Sequence, residues 1–111
     1  MDLRLEVSEF GGWSVLHVGG EVDVATAPRL RERLIDMIGK DHLTIAVDLT
    51  SVDFIDSTGL GVLIGAVKRL RTRGGDLVLV RGDTRVSRVF EITGLDQVFT
   101  MVDTTDDLVD S

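Results

Sequence analysis

The stretch Val47-Asp48-Leu49-Thr50-Ser51-Val52-Asp53-Phe54-Ile55-Asp56-Ser57-Thr58-Gly59-Leu60-Gly61-Val62-Leu63 changes its hydrophobic period partway along. From Leu43 to Leu49 nearly every residue is apolar or β-branched, the pattern of a strand covered on both faces, with Asp48 near its end. From Leu60 the apolar residues fall at Leu60, Leu63, Ile64, Val67 and Leu70, the spacing of a helix with one buried face. Gly61 and Gly65 lie on one side of this helix, where small size would let it approach a sheet closely. Lys68, Arg69, Arg71 and Arg73 crowd its last turns, where positive charge suits the helix dipole, and Gly74-Gly75 ends it. The strand is expected to stop near Leu49, which leaves Thr50 to Asp56 as a long, partly apolar connection presenting Ser57 at the helix start.

The flanks continue the alternation. Leu3, Leu5 and Val7 alternate with Arg4 and Glu6, the period of a half-buried strand. Phe10-Gly11-Gly12 reads as a tight turn into a second strand, Val15 to Val18, so the pair is a hairpin. Gly19-Gly20-Glu21-Val22-Asp23 leads to a first helix with Thr26 as its cap, Pro28 in its first turn, an apolar stripe at Leu30, Leu34, Ile35 and Ile38, and Gly39 as a stop. Leu77 to Val80 is a fourth strand. Val86, Val89 and Phe90 mark a helix capped by Asp83 or Thr84 and stopped at Gly94, and Phe99 to Val102 is a fifth strand. Thr104 or Thr105 caps a last short helix through Leu108. The prediction is an α/β chain, one domain over 1–111: a mixed sheet of about five strands with about four helices, joined by right-handed crossovers.

Composition narrows the function. Hydrophobic residues make up 43% of the 111, enough for a core, and that core should be aliphatic because aromatics are only Trp13 and four Phe. There is no cysteine, which removes disulfides, thiol catalysis and thiolate metal sites, and fits a reducing compartment. Acidic residues outnumber basic ones 19 to 12, for a net charge of −7, the opposite of a nucleic-acid footprint. No signal peptide is visible at Met1-Asp2-Leu3-Arg4-Leu5-Glu6, and the longest apolar run, Gly59 to Val67, is far short of the roughly 20 residues of a membrane span. The expectation is a cytoplasmic protein with neither membrane nor nucleic-acid partner.

Chemistry concentrates between Asp48 and Gly65. Gly59, Gly61 and Gly65 resemble a dinucleotide loop, but that loop needs a strand running straight into the glycine turn, and the strand is expected to end too early. Gly65-Ala66-Val67-Lys68 lacks the spacing of a phosphate-binding Walker loop. Asp48, Asp53 and Asp56 could gather a hard cation, yet a phosphate-receiver site would also need acids after the first strand and a Lys after the fifth, and no Lys follows Lys68. Hydrolysis by Ser57 would need a base; His17 and His42, the only histidines, lie in a strand and a turn without motifs around them, and Ser57-Thr58-Gly59 is not G-x-S-x-G. Ser57 itself is the N-cap or the first residue of the helix. It is either a structural cap, worth about 1 kcal/mol, or a modification site, since a helix N-terminus tolerates phosphate.

Around these residues the chain resembles the STAS family, and within it the bacterial anti-sigma-factor antagonists. Gly19-Gly20-Glu21-Val22-Asp23 is similar to the family's G-E-hydrophobic-D turn, and residues 47–63 follow its D-L-S-x-V-x-F-hydrophobic-D-S-[ST]-G core almost position for position. Gly74-Gly75-Asp76-Leu77 and Val89-Phe90-Glu91-Ile92-Thr93-Gly94-Leu95 resemble the G-G-x-L and T-G-L motifs, with Phe90 where Leu is more usual.

The resemblance implies a STAS fold and a partner-switching cycle in transcription regulation, of the kind that serves stress responses. The unphosphorylated antagonist binds an anti-sigma factor that is also a serine-protein kinase, releasing a sigma factor. The kinase phosphorylates the D-S-x-G serine, here Ser57, which ends binding, and a metal-dependent serine phosphatase resets it. The chain would then be a substrate and not an enzyme, with no cofactor or metal of its own. The partner-binding residues implied are Asp23, Asp56, Ser57, Thr58, Gly59 and Gly61. The family also includes STAS subunits of lipid-transport or signalling scaffold complexes, and a nucleotide-binding domain is the remaining alternative.

Overall fold

Two strands, β1 (Leu3–Phe10) and β2 (Trp13–Val22), fold back on each other through Gly11 and Gly12, which both take positive φ, 57° and 87°. Glycine reaches that region without steric cost, which is why the link can be so short. In the computed structural model the described residues are 2–82 and 84–108, with Thr84 described in its backbone alone. The order continues as α1 (Ala27–Gly39), β3 (Thr44–Ile55), α2 (Ser57–Thr72), β4 (Asp76–Val80), α3 (Thr84–Ile92) and β5 (Thr100–Val102), with 3-10 turns at Leu95–Gln97 and Thr105–Leu108. The sheet runs β1-β2-β3-β4-β5; β1 is antiparallel to β2 and every later pair is parallel. This is the mixed α/β architecture expected. Among the described residues it carries three α-helices, not about four, because the segment ending at Leu108 is a single 3-10 turn, Thr105–Leu108.

A monotonic strand order with crossovers of one hand puts the helices on one face of the sheet. The core has that form. Leu30 and Leu34 of α1, Leu63 and Val67 of α2, and Val86 and Phe90 of α3 join Leu16, Val18, Ile45, Val47, Leu77 and Leu79 of the sheet in one cluster. Phe90 is fully buried and meets Phe99 edge-on at 5.9 Å between ring centres, so the aromatic fills the place of a Leu by packing on a second ring. The other face is thinly covered. Val15, Ala46, Val78 and Leu108 form a small second cluster, flanked by Trp13, whose indole N–H donates to the Leu108 carbonyl at 3.1 Å.

Strand β3 does not stop at Leu49. It runs on to Ile55, pairing Gly19 with Ser51, Gly20 with Val52, Glu21 with Phe54 and Val22 with Ile55, through two register shifts. Its alternation fails there for a physical reason. Strand β4 ends opposite Asp48, so beyond that point β3 has only β2 beside it, and the irregular register leaves Val52 and Ile55 buried while Thr50, Ser51, Asp53 and Phe54 are exposed. Gly20 sits inside β2 at φ 93°, where an added Cβ would run into the Asp2 carbonyl. Thr26 occupies the N-cap position of α1 but makes no capping bond; its hydroxyl donates to the Glu21 carbonyl and accepts the Asp23 N–H. Asp83 and the side chain of Thr84, expected to cap α3, lie outside the described residues.

On the outer face Asp48 accepts from the Thr50 N–H and hydroxyl (3.0 and 2.7 Å), while its other oxygen lies 2.8 Å from His17 Nδ1; His17 Nε2 lies 2.8 Å from Ser8 Oγ. Burial works to raise the Asp48 carboxyl, but the Thr50 and His17 contacts outweigh it and hold the group below its ordinary 3.8. A depressed carboxyl contributes stability that is present above its unfolded pKa and is lost as pH falls through the lower folded value. The gap in urea midpoint between wild type and Asp48→Asn should therefore shrink below about pH 4; a gap unchanged at acid pH would exclude this role. Phe90→Ala should cost about 3–5 kcal/mol and Phe90→Leu less than about 1.5 kcal/mol in urea unfolding. Equal losses would show that the aromatic contact, not volume, is what matters.

Candidate functional site

The helix-side end of β2 and β3 converges on Ser57. Val22 pairs with Ile55, and the Asp56 N–H donates to the Val22 carbonyl at 3.1 Å, so β3 passes into α2 with no loop between them. Asp56 is the N-cap. Its backbone is extended, and its Oδ1 accepts the N–H groups of Thr58 (2.9 Å) and Gly59 (3.2 Å), while its carbonyl accepts Leu60 N–H. Ser57 is thus the first residue of the helix and not its cap. Its side chain is exposed and makes no hydrogen bond among the described residues.

This removes the structural account of Ser57. A cap earns its place by accepting an orphan helix N–H, and Asp56 already holds the two within reach. It also corrects the ground on which dinucleotide binding was set aside. The strand does run straight into the glycine turn. What stands against that ligand is chemical. The N–H groups of Thr58 and Gly59, which would cradle a phosphate, are held by the Asp56 carboxylate. A Cβ on Gly59 would lie 2.5 Å from Val22 Cγ1 and 2.8 Å from Ile55 Cγ1. Gly59 is buried so that α2 can seat on the strand ends, and no space opens there for a ligand.

Asp23 follows Val22 on the same end of the sheet. Its Oδ1 accepts the N–H groups of Ala25 (2.9 Å) and Thr26 (3.0 Å), and its carbonyl accepts Ala27 N–H. The hydrogen bond from Thr26 N–H, more than anything else, holds its carboxyl below the ordinary value. Asp23 therefore shapes the turn into α1 while remaining partly open to solvent. Thr58 is exposed beside Ser57. Gly61 is exposed too, but neither it nor Gly65 touches the sheet: a Cβ at either position meets nothing within 4 Å, and both glycines face a cleft between α1 and α2. The expectation that they bring the helix onto the sheet is wrong; Gly59 does that.

Two residues at this end escaped the sequence reading. Phe54 is 48% exposed and Val24 73%, flanking the acidic Glu21, Asp23, Asp53 and Asp56 with apolar surface. The signal was present in Asp53-Phe54-Ile55-Asp56, where one of two adjacent apolar residues in an extended segment must face away from the core. The remaining candidates disperse. Asp48 is tied to His17 and Thr50 on the outer face, Asp53 is exposed, and among the described residues no three His, Cys, Asp or Glu side chains are grouped to hold a metal ion. His17 bonds Ser8 and Asp48, and His42 Nδ1 lies 2.6 Å from Ser14 Oγ, so neither histidine serves Ser57 as a base. Among the described residues no helix is long and apolar enough to cross a membrane.

The family model for the STAS domain matches residues 4–108. The chain is 41% identical over 99 residues to a protein named anti-sigma-B factor antagonist from Listeria monocytogenes, covering 88% of this chain and 87% of that one. An anti-sigma factor antagonist from Mycobacterium paratuberculosis superposes with a TM-score of 0.88 at 29% identity, over 96% of this chain and 90% of the other. The Bacillus cell-fate determinant SpoIIAA, solved in its phosphorylated form, shares the fold with a TM-score of 0.72 at 23% identity, over 98% and 97%.

Stability measurements separate the two neighbours at the helix start. Asp56→Ala should lower stability by about 0.5–2 kcal/mol through loss of the cap, whereas Ser57→Ala should stay within about 0.5 kcal/mol of wild type. A larger loss at Ser57 than at Asp56, read from urea or thermal unfolding, would return Ser57 to a structural role.

Proposed function

The chain belongs to the STAS family, and from that membership we propose that it is an anti-sigma-factor antagonist switched by phosphorylation of Ser57. The observation that carries this is the state of Ser57: an exposed hydroxyl without a structural partner, at the first position of α2, inside Asp56-Ser57-Thr58-Gly59. A kinase can take such a hydroxyl without breaking any bond that the fold uses. In the unphosphorylated state the chain binds an anti-sigma factor with serine kinase activity and frees the sigma factor that it holds. Asp23, Asp56, Ser57 and Thr58 form the recognition surface together with the exposed Phe54 and Val24. The chain is the kinase's substrate; ATP and Mg²⁺ belong to the kinase, and a serine phosphatase reverses the step.

On this reading the geometry supports a switch that turns binding off. Phosphorylation adds about −1.5 to −2 charge at neutral pH. Because Asp56 already occupies the N–H groups of Thr58 and Gly59, a phosphate on Ser57 projects outward beside a carboxylate and is not drawn into the helix end. The new charge therefore falls on the surface that the partner must cover, while the positive end of the helix dipole keeps the cost to the fold small. Truncating or mispairing a desolvated charge at an interface costs about 2–5 kcal/mol, enough to turn binding off.

Ser57→Ala should stay bound to the cognate kinase in the presence of ATP, and Ser57→Asp should bind weakly or not at all. After incubation with kinase and ATP, mass spectrometry should place one phosphate at Ser57, with circular dichroism nearly unchanged. A phosphate mapped to Thr58, or a large loss of helix on modification, would contradict the assignment.

A further inference from the structure

Between α1 and α2 runs a shallow cleft that the fold does not fill. Its floor is made by Gly61, Gly65 and Ala66 of α2 with Ile35 and Ile38 of α1, and it reaches Thr58 at one end, beside Ser57, and Thr72 at the other. The span from Thr58 to Thr72 is about 20 Å along the helix axis, or about four turns. The two glycines are unexplained by packing. Both have ordinary negative-φ helical backbone, and a Cβ on either meets nothing within 4 Å. Glycine is a poor helix former compared with alanine or leucine, so α2 is less stable than its surroundings would permit, at two positions on one stripe that faces solvent.

Charge marks the same cleft. The chain carries a net −7, yet Arg31 and Arg69 rim the middle of the cleft and make no hydrogen bond or ion pair through their side chains among the described residues, while Glu32 lines its Thr58 end. By contrast Arg71 pairs with Asp76, Arg73 with Asp41 and Arg81 with Asp103. An apolar floor that two glycines keep low, cationic rims along its middle and the length of four turns suit one kind of occupant. It is an amphipathic helix that lays small or apolar residues on the glycines and carries acidic residues along its flanks.

We propose that the α1–α2 cleft is a second docking surface, which receives an acidic amphipathic helix of the anti-sigma kinase while the Ser57 end engages its active site. This rests on the antagonist reading above and adds to it the partner's contacting element. Gly61 and Gly65 keep the floor low enough for close helix approach, and Arg31 and Arg69 fix the partner's register.

Binding of the unphosphorylated chain to the cognate kinase, by titration calorimetry, tests the proposal through variants that do not weaken the fold. Gly61→Leu and Gly65→Leu should unfold at the same or a higher temperature than wild type, yet lose about tenfold or more in affinity. Arg31→Glu with Arg69→Glu should weaken binding similarly and flatten its salt dependence. Wild-type affinity in the glycine variants would overturn the cleft assignment and leave the Ser57 reading intact. So would unchanged kinase binding with a loss of self-association in sedimentation, which would name a second copy as the occupant. If the wild-type chain itself fails to bind the kinase, the antagonist reading falls and the cleft assignment falls with it.

Discussion

The hydrogen bond from Asp56 N–H to the Val22 carbonyl ties the two parallel strands at the centre of the fold where both end. It depends on β3 following β2 beyond the last rung shared with β4, through two register shifts, until Val22 and Ile55 lie side by side. Gly59 then seats α2 against these two side chains. Once the strands are joined there, the turn at Asp23 and the first residue of α2 have nowhere else to go. The position of Ser57 is thus set by strand pairing and by packing in the core. The serine itself contributes nothing to it, which leaves its hydroxyl available for chemistry.

Most of the fold could be read in the sequence because its signals are local. The hairpin announced itself through Gly11-Gly12, the core strands through unbroken aliphatic runs, and α1 and α2 through apolar stripes at helical spacing. Each of these features depends on a residue's near neighbours. The extension of β3 from Thr50 to Ile55 could not be read in this way. Its pairing with β2 involves a partner some thirty positions away, and its register shifts break the alternation that marks a strand. The last helix was lost for another reason: four residues, Thr105–Leu108, cannot be told from a capped α-helix by pattern alone.

At the site the same division holds. The motif around Ser57 located the residue, but only the folded chain shows that Asp56 caps the helix and that Ser57 does not. Asp-Ser at a helix start is ambiguous by one residue, and the two serine roles differ by that one residue. Gly59 and Gly61 look alike in sequence, two small residues in one turn. In space they have opposite surroundings, one pressed on Val22 and Ile55 and the other facing an open cleft. Helical phase decides this, and a difference of two residues turns the side-chain position by more than half a turn.

The thin covering on the outer face has a practical side. Trp13 is the only tryptophan in the chain, and its indole holds the carbonyl of Leu108, the residue that closes the small cluster over Val15, Ala46 and Val78. Trp13 begins β2 and Val22 ends it, so this clasp lies about 30 Å of strand away from the serine. Intrinsic fluorescence is therefore a spectroscopic gauge of whether the C-terminal turn is latched. It can follow loosening of that face on its own, as a separate coordinate from anything that happens at the partner-facing end.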